Sequence, residues 1–240
     1  MFLENYYTIT TSNSTDDKIS FTRQQGSNFA KQIADDFNPL HDVDAKRFCV
    51  PGDLLFSLVL ERAGLFQEMS VTFSSMVTDG IVLTFPNDIN ENASVVDDKQ
   101  KEYLNMSVSG DHTKDAETIE NLTRAYVEFS GHTFPHILVE LMKENNVMIN
   151  PARPMIMYES MSIHLDCLNF QTVELQLSSS TLDINGKRGN ACLAFDLISQ
   201  GKLVGHGKKF MLLCGLRDYC QNEIDAISEL YNSNKAAYLN

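Results

Sequence analysis

Asp36, Asn38, Pro39 and His41 fall within six consecutive residues of a 240-residue chain, and Gly52 follows at the head of an apolar run. An Asp and a His five positions apart converge on one water molecule only where the chain turns between them. Pro39 restricts such a turn, and Asn38 fixes it by hydrogen-bonding its own backbone. The pair suits general acid–base work on a water. The run DLLFSLVLERAGLF after Gly52 is apolar almost all round and predicts a buried helix. Free N–H groups at its start, aimed by the helix dipole, would supply an electrophilic donor to a developing oxyanion.

These residues resemble the motif of the MaoC-like or R-specific enoyl-CoA hydratases, G-D-x-N-P-(I/L)-H. Asp36, Asn38, Pro39, Leu40 and His41 match it position by position, and Asp42 or Asp44 with Ala45 approximates its continuation. At whole-chain level the sequence is similar to a bacterial family of fused hot-dog proteins. The resemblance implies hydration or dehydration of an acyl thioester carried on coenzyme A or on acyl-carrier protein. It further implies Asp36 and His41 as catalytic residues, the Gly52 amide as donor to the thioester oxygen, Asn38 and Asp53 beside the substrate, and no metal or cofactor. Lys46 and Arg47, just past the motif, are candidates for the coenzyme A phosphates. Two rivals stay open on the same fold: a non-catalytic acyl-CoA or acyl-carrier-protein binding module, and a thioesterase.

The chain departs from that motif in places. Asp35 stands where the family has Gly, and two adjacent carboxylates are expected to raise the pKa of Asp36. Pro51-Gly52-Asp53 replaces a histidine-glycine pair at the helix start, where Asp53 is expected to compete for the free amides. Ser57 occupies the place of an acidic residue in the acyl-carrier-protein dehydratases.

The elements that must hold this constellation recur in two passes. Ile19–Phe21 reads as a strand, Thr22 caps a helix to about Ala34, and 35–51 reads as loop. After the buried helix, 70–73 and 81–85 read as a hairpin, 87–98 as loop and 103–108 as strand. The second pass predicts a helix over 117–129, a second apolar helix over 136–145, and strands over 161–165, 173–182, 191–198 and 203–213. Asn185-Gly186 and Gln200-Gly201 are its turns. A polar terminal helix from about Arg217 is expected to pack on the sheet. The fold class expected is α+β, a double hot-dog in which two long buried helices are each wrapped by a curved antiparallel sheet. Its units are 1–112, carrying the motif, and 113–240, without it. The second is expected to contribute apolar wall through Phe134, Ile137 or 155–161.

Composition narrows the partners. With 32 acidic against 19 basic residues the formal charge is −13, which disfavours nucleic acid and anionic membranes. No apolar run reaches the roughly 18 residues of a membrane span, and the N-terminal segment lacks a signal-peptide pattern, so a cytoplasmic protein is expected, as monomeric pseudo-dimer or homodimer. Cys49, Cys167, Cys192, Cys214 and Cys220 are scattered, in apolar neighbourhoods, and read as buried thiols rather than a disulfide frame, zinc site or nucleophile. His132 and His136 lack a third ligand, and His164 and His206 fall in strands. Lys208-Lys209 is a second candidate for the coenzyme A phosphates and reads first as an exposed basic pair.

Overall fold

The computed structural model of the chain describes residues 2–12 and 16–239. β1 (Thr8–Ser12) and β2 (Asp16–Ser20) lead into α1 (Arg23–Gln32), a 3-10 turn over Pro39–His41, and α2 (Gly52–Ala63). Next come β3 (Leu65–Phe73), β4 (Val82–Pro86), β5 (Asn92–Asp97) and β6 (Glu102–Thr113), then α3 (Ala116–Gly131), a π-type turn over Thr133–Ile137, α4 (Leu138–Glu144) and β7 (Val147–Met148). β8 (Ile156–Leu165), β9 (Glu174–Asn185), β10 (Arg188–Ser199), β11 (Lys202–Cys214), β12 (Arg217–Asp218) and α5 (Gln221–Leu239) complete it.

Among the described residues, ten strands form one antiparallel sheet in the order β1-β2-β4-β5-β6-β3-β8-β11-β10-β9, and β7 pairs with β12. The two passes meet at the β3–β8 seam, where Glu68 to Thr72 pair with His164 to Ser160. The apolar run of α2 is buried as expected: Leu54, Leu55, Phe56, Leu58, Val59 and Leu60 are each 2% exposed or less. Each such side chain contributes about 1.5–3 kcal/mol relative to an exposed one. A helix enclosed by a curved antiparallel sheet is the hot-dog arrangement, and the fold is α+β.

Local signals hold where expected. Thr22 and Gln25 form a reciprocal capping box at the start of α1. Gln200 and Gly201 turn β10 into β11 with φ of 50° and 73°. Partner choice differs. β3 pairs with β6 and β8, while β4 pairs with β2 and β5, so 70–85 is not a hairpin. Alternation selects a strand's face but not its neighbour. The segment 87–98 also contains β5, whose Val95 is buried but whose short apolar pair Val95-Val96 lies within a mostly polar stretch that hides the pattern.

The second long buried helix is α3, not 136–145. Its Tyr126 packs edge-on against Phe56 of α2 with ring centroids 5.2 Å apart, and Phe129 meets Phe195 of β10 at 5.1 Å. α4 buries Leu138, Leu141 and Met142 but exposes Glu140, Lys143 and Glu144. Those charges, at helical spacing, give it a wet face that the apolar reading passed over. Among the described residues no helix is long and apolar enough to cross a membrane.

Candidate active site

The motif folds into a self-supporting turn. Asp35 has φ +52°, a left-handed conformation that glycine takes freely and that Asp tolerates better than most residues. It directs the chain so that the Asp36 amide donates back to Ala30 O at 2.8 Å. Asp36 Oδ1 accepts from the Asn38 amide at 2.9 Å, and Asn38 Oδ1 accepts from Leu40 at 3.1 Å, capping the 3-10 turn. The Asn38 side chain is thus committed to shaping the loop. His41 Nδ1 lies 2.7 Å from the carbonyl of Cys49. A carbonyl only accepts, so Nδ1 is the donor here, and in the neutral ring Nε2 is the nitrogen with the lone pair.

That lone pair faces Asp36. His41 Nε2 and Asp36 Oδ2 are 3.7 Å apart, too far for a direct hydrogen bond and close enough to share one small oxygen ligand. Their side chains are 12% and 26% exposed, so the pair is largely withdrawn from solvent. Burial pushes the Asp36 carboxyl above its ordinary value. His41 and the Asn38 amide pull it back, Asp53 pushes it up again, and Lys209 pulls it down. Asp35 does not share in this effect as expected. Its carboxylate is engaged by Lys235 and lies 3.2 Å from His132 Nε2.

Behind the pair stands the start of α2. Pro51 offers no side-chain cap; the Leu54 amide donates to Pro51 O at 3.1 Å, and the Gly52 and Asp53 amides precede it in the first turn, where the helix itself supplies no acceptor. A Cβ on Gly52 would lie 3.1 Å from Phe73 and 3.3 Å from Tyr158, so glycine lets these rings close over the helix end. Asp53 does not compete for the amides: its Oδ2 accepts from Ser130 Oγ at 2.5 Å. Ser130 in turn accepts from Lys209 Nζ, which lies 4.3 Å from the centre of the Tyr158 ring. Ser57 is structural, its hydroxyl donating to Asp53 O at 2.6 Å.

Residues 1–222 match the family model described as "Protein of unknown function (DUF3581)". The chain belongs to that family. No curated protein matches it. Among solved structures, a tesB protein from Mycobacterium avium subs paratuberculosis is 9% identical, with 88% of this chain and 96% of that one covered at a TM-score of 0.50. Acyl-CoA thioesterase II TesB2 from Mycobacterium marinum is 12% identical over 92% of this chain and 99% of that one, with TM-score 0.45. A conserved protein with a hot dog fold from Alicyclobacillus acidocaldarius is 8% identical over 89% and 98%, with TM-score 0.49. The likeness is one of fold.

In this DUF3581 chain the remaining site residues scatter. Lys46 and Arg47 are exposed, outside the Asp36–His41 pair. Burial pushes the Cys49 thiol up to about 11, which fits an inert cysteine. His164 lies on the sheet face between Glu68 and Asp166, at 2.5 and 3.1 Å. His136 and Glu140 are exposed.

α5 packs on the sheet through its first turns, where Ile224 joins Leu182, Leu193 and Met211, and its later turns seat on the motif loop. Tyr231 Oη accepts from the Phe37 amide at 3.1 Å and donates to Asp35 O at 3.2 Å, straddling Asp36. Phe37 packs edge-on against Tyr231 and Tyr238, with centroids 6.0 and 5.7 Å away. Tyr231→Phe should therefore leave a buried amide unpaired and cost about 1–3 kcal/mol, read from urea unfolding midpoints at constant slope. Between loop and helix lies a cavity of about 240 Å³, whose walls include Phe37, Pro39, Leu40, Phe134, Ile156 and Leu230.

Proposed function

We propose that this chain acts on acyl thioesters by adding water across, or removing it from, an enoyl double bond. The observation that carries the reading is the 3.7 Å gap between Asp36 Oδ2 and His41 Nε2, with the far nitrogen of the ring held on Cys49 O. His41 Nε2 takes a proton from the shared water, whose oxygen bonds to the β-carbon. The carbonyl then carries the negative charge as an enolate, facing the amides and positive dipole end of α2. Asp36, its carboxyl raised by burial, is suited to holding the proton that goes to the α-carbon. The cavity beside Phe37–Leu40 is the acyl sleeve, with Phe134 and Ile156 as the apolar wall from the second unit. We assign the two hot-dog units to 1–112 and 113–240, and the coenzyme A phosphates to Lys46 and Arg47.

The test is an assay on crotonyl-CoA, trans-2-hexenoyl-CoA and trans-2-decenoyl-CoA, following loss of the conjugated enoyl absorbance, beside saturated acyl-CoAs scored for free thiol. Hydration without thiol release is the expected result. Thiol release alone would replace the reading with a thioesterase in which the same pair aims water at the carbonyl carbon. Binding with neither reaction would leave a binding module. Leu40→Trp should fill the sleeve and lower kcat/KM on decenoyl-CoA by tenfold or more while crotonyl-CoA is turned over nearly as before, since apolar pockets discriminate by about 1–3 kcal/mol per methylene.

A further inference from the structure

Lys209 is 4% exposed; of the described residues, it and Asp17 are the charged side chains buried this deeply. Burying an ammonium is costly unless other groups compensate, so its surroundings need an explanation. Lys209 donates to Ser130 Oγ and lies over the Tyr158 ring, while Ser130 donates to Asp53 at the head of α2. Asp53 Oδ1 and Tyr158 Oη are buried without a protein partner among the described residues. The chain Lys209–Ser130–Asp53 thus links the middle of β11, the end of α3 and the start of α2, and both of its charged ends act on the Asp36 carboxylate.

We propose that Lys209 is a positioning residue of this site: docked on Ser130, it holds Asp53 away from the α2 amides and balances the charges of Asp53 and Asp36. The arithmetic is simple. Two carboxylates with neutral His41 place two negative charges beside the end of α2, and an enolate would add a third. Lys209 brings the count to −1 with both carboxylates ionised, and to zero when Asp36 holds the proton for the α-carbon. The other titratable groups facing Asp36 are His41 from the 3-10 turn, Asp53 from α2, and Tyr231 from α5. None of them is a permanent cation.

This inference rests on the same site as the proposed function, yet it is read without substrate, so a missing reaction and a missing coupling are separate results. The full-length protein, labelled with ¹³C at aspartate carboxyls, is titrated by NMR, and the Asp36 signal is assigned by its loss in Asp36→Asn. Removing the opposite charge in Lys209→Met should raise the proton affinity of Asp36 by tenfold or more. Asp53→Asn should lower it, and the double variant Lys209→Met/Asp53→Asn should return towards the wild-type midpoint. A folded Lys209→Met protein whose Asp36 titrates like the wild type overturns the proposal. If Lys209→Met does not fold, the double variant decides. An Asp36 midpoint equal to that of Asp53→Asn alone overturns the proposal, and a higher one supports it.

Discussion

Replacing Asp36 by Asn should give a protein that is folded, inactive, and more stable than the wild type near neutral pH. The rate on an enoyl thioester should fall by about 10²–10⁴-fold, the usual loss for a group that moves a proton in the transition state. The gain in stability follows from the direction of the Asp36 shift. Its folded pKa is raised above the ordinary value of 3.8. Between those two values the folded protein holds more protons than the unfolded chain, so stability falls as pH rises through that window. Asn cannot ionise and escapes the loss, while its carbonyl oxygen can still accept from the Asn38 amide. Thermal melts at pH 5 and pH 8 check the sign: the advantage of Asp36→Asn should widen towards pH 8. His41→Ala should lose a similar share of rate with no such gain, because it leaves the Cys49 carbonyl without its donor, a loss of about 1–3 kcal/mol. An Asp36→Asn protein that melts below the wild type at pH 8 would mean that the ionised carboxylate is well solvated after all.

The largest expected effect on folding comes from one added methyl group. A Cβ on Gly131 would stand 1.6 Å from the carbonyl oxygen of Ala34 and 2.7 Å from its carbon. The obstacle is backbone, so no rotamer change relieves it. The φ of Gly131 is not in the left-handed range, and close approach alone demands glycine here. Gly131→Ala must therefore push the end of α3 away from the segment that leads into Asp35 and Asp36. Destabilisation of at least about 3 kcal/mol is expected, at the high end for overpacking. Denaturant unfolding measures it. Because Ser130 moves with the same helix end, any folded fraction should also lose most of its activity. A folded Gly131→Ala protein of near wild-type stability would show that α3 can withdraw at little cost.

Local chemistry was legible in the sequence, and long-range seating was not. The Thr22–Gln25 box, the turn shaped by Asn38 and Pro39, and the apolar helix after Gly52 depend on neighbours a few positions away, so residue order states them directly. Lys209 hid because Lys208 and Phe210 flank it: the eye puts the lysine outside and the phenylalanine inside, whereas Phe210 is 36% exposed. Counting back by twos from the buried Leu213 and Met211 would have turned Lys209 inward, onto the face of Gly207, where a Cβ would lie 2.4 Å from the Phe195 ring. Asp35 read as a perturbing charge because the lysine that engages it comes 200 residues later, although the glycine at this place of the resembled motif already pointed to a left-handed backbone. The apolar side of α5, with Ile224 and Ile227, announced its seat on the sheet, but nothing in the sequence marked Tyr231 and Lys235 as partners of the motif loop.

The Tyr231 bridge has a consequence for synthesis. The motif loop leaves the ribosome early, but the hydroxyl that straddles Asp36 follows 194 to 196 residues later. At about 5–20 residues per second, roughly ten to forty seconds of translation separate them. Throughout that interval the turn can form locally, whereas its fastening by α5 must wait. The nascent chain therefore carries its Asp–His pair without the strap, and a competent site is assembled only after the sheet has closed.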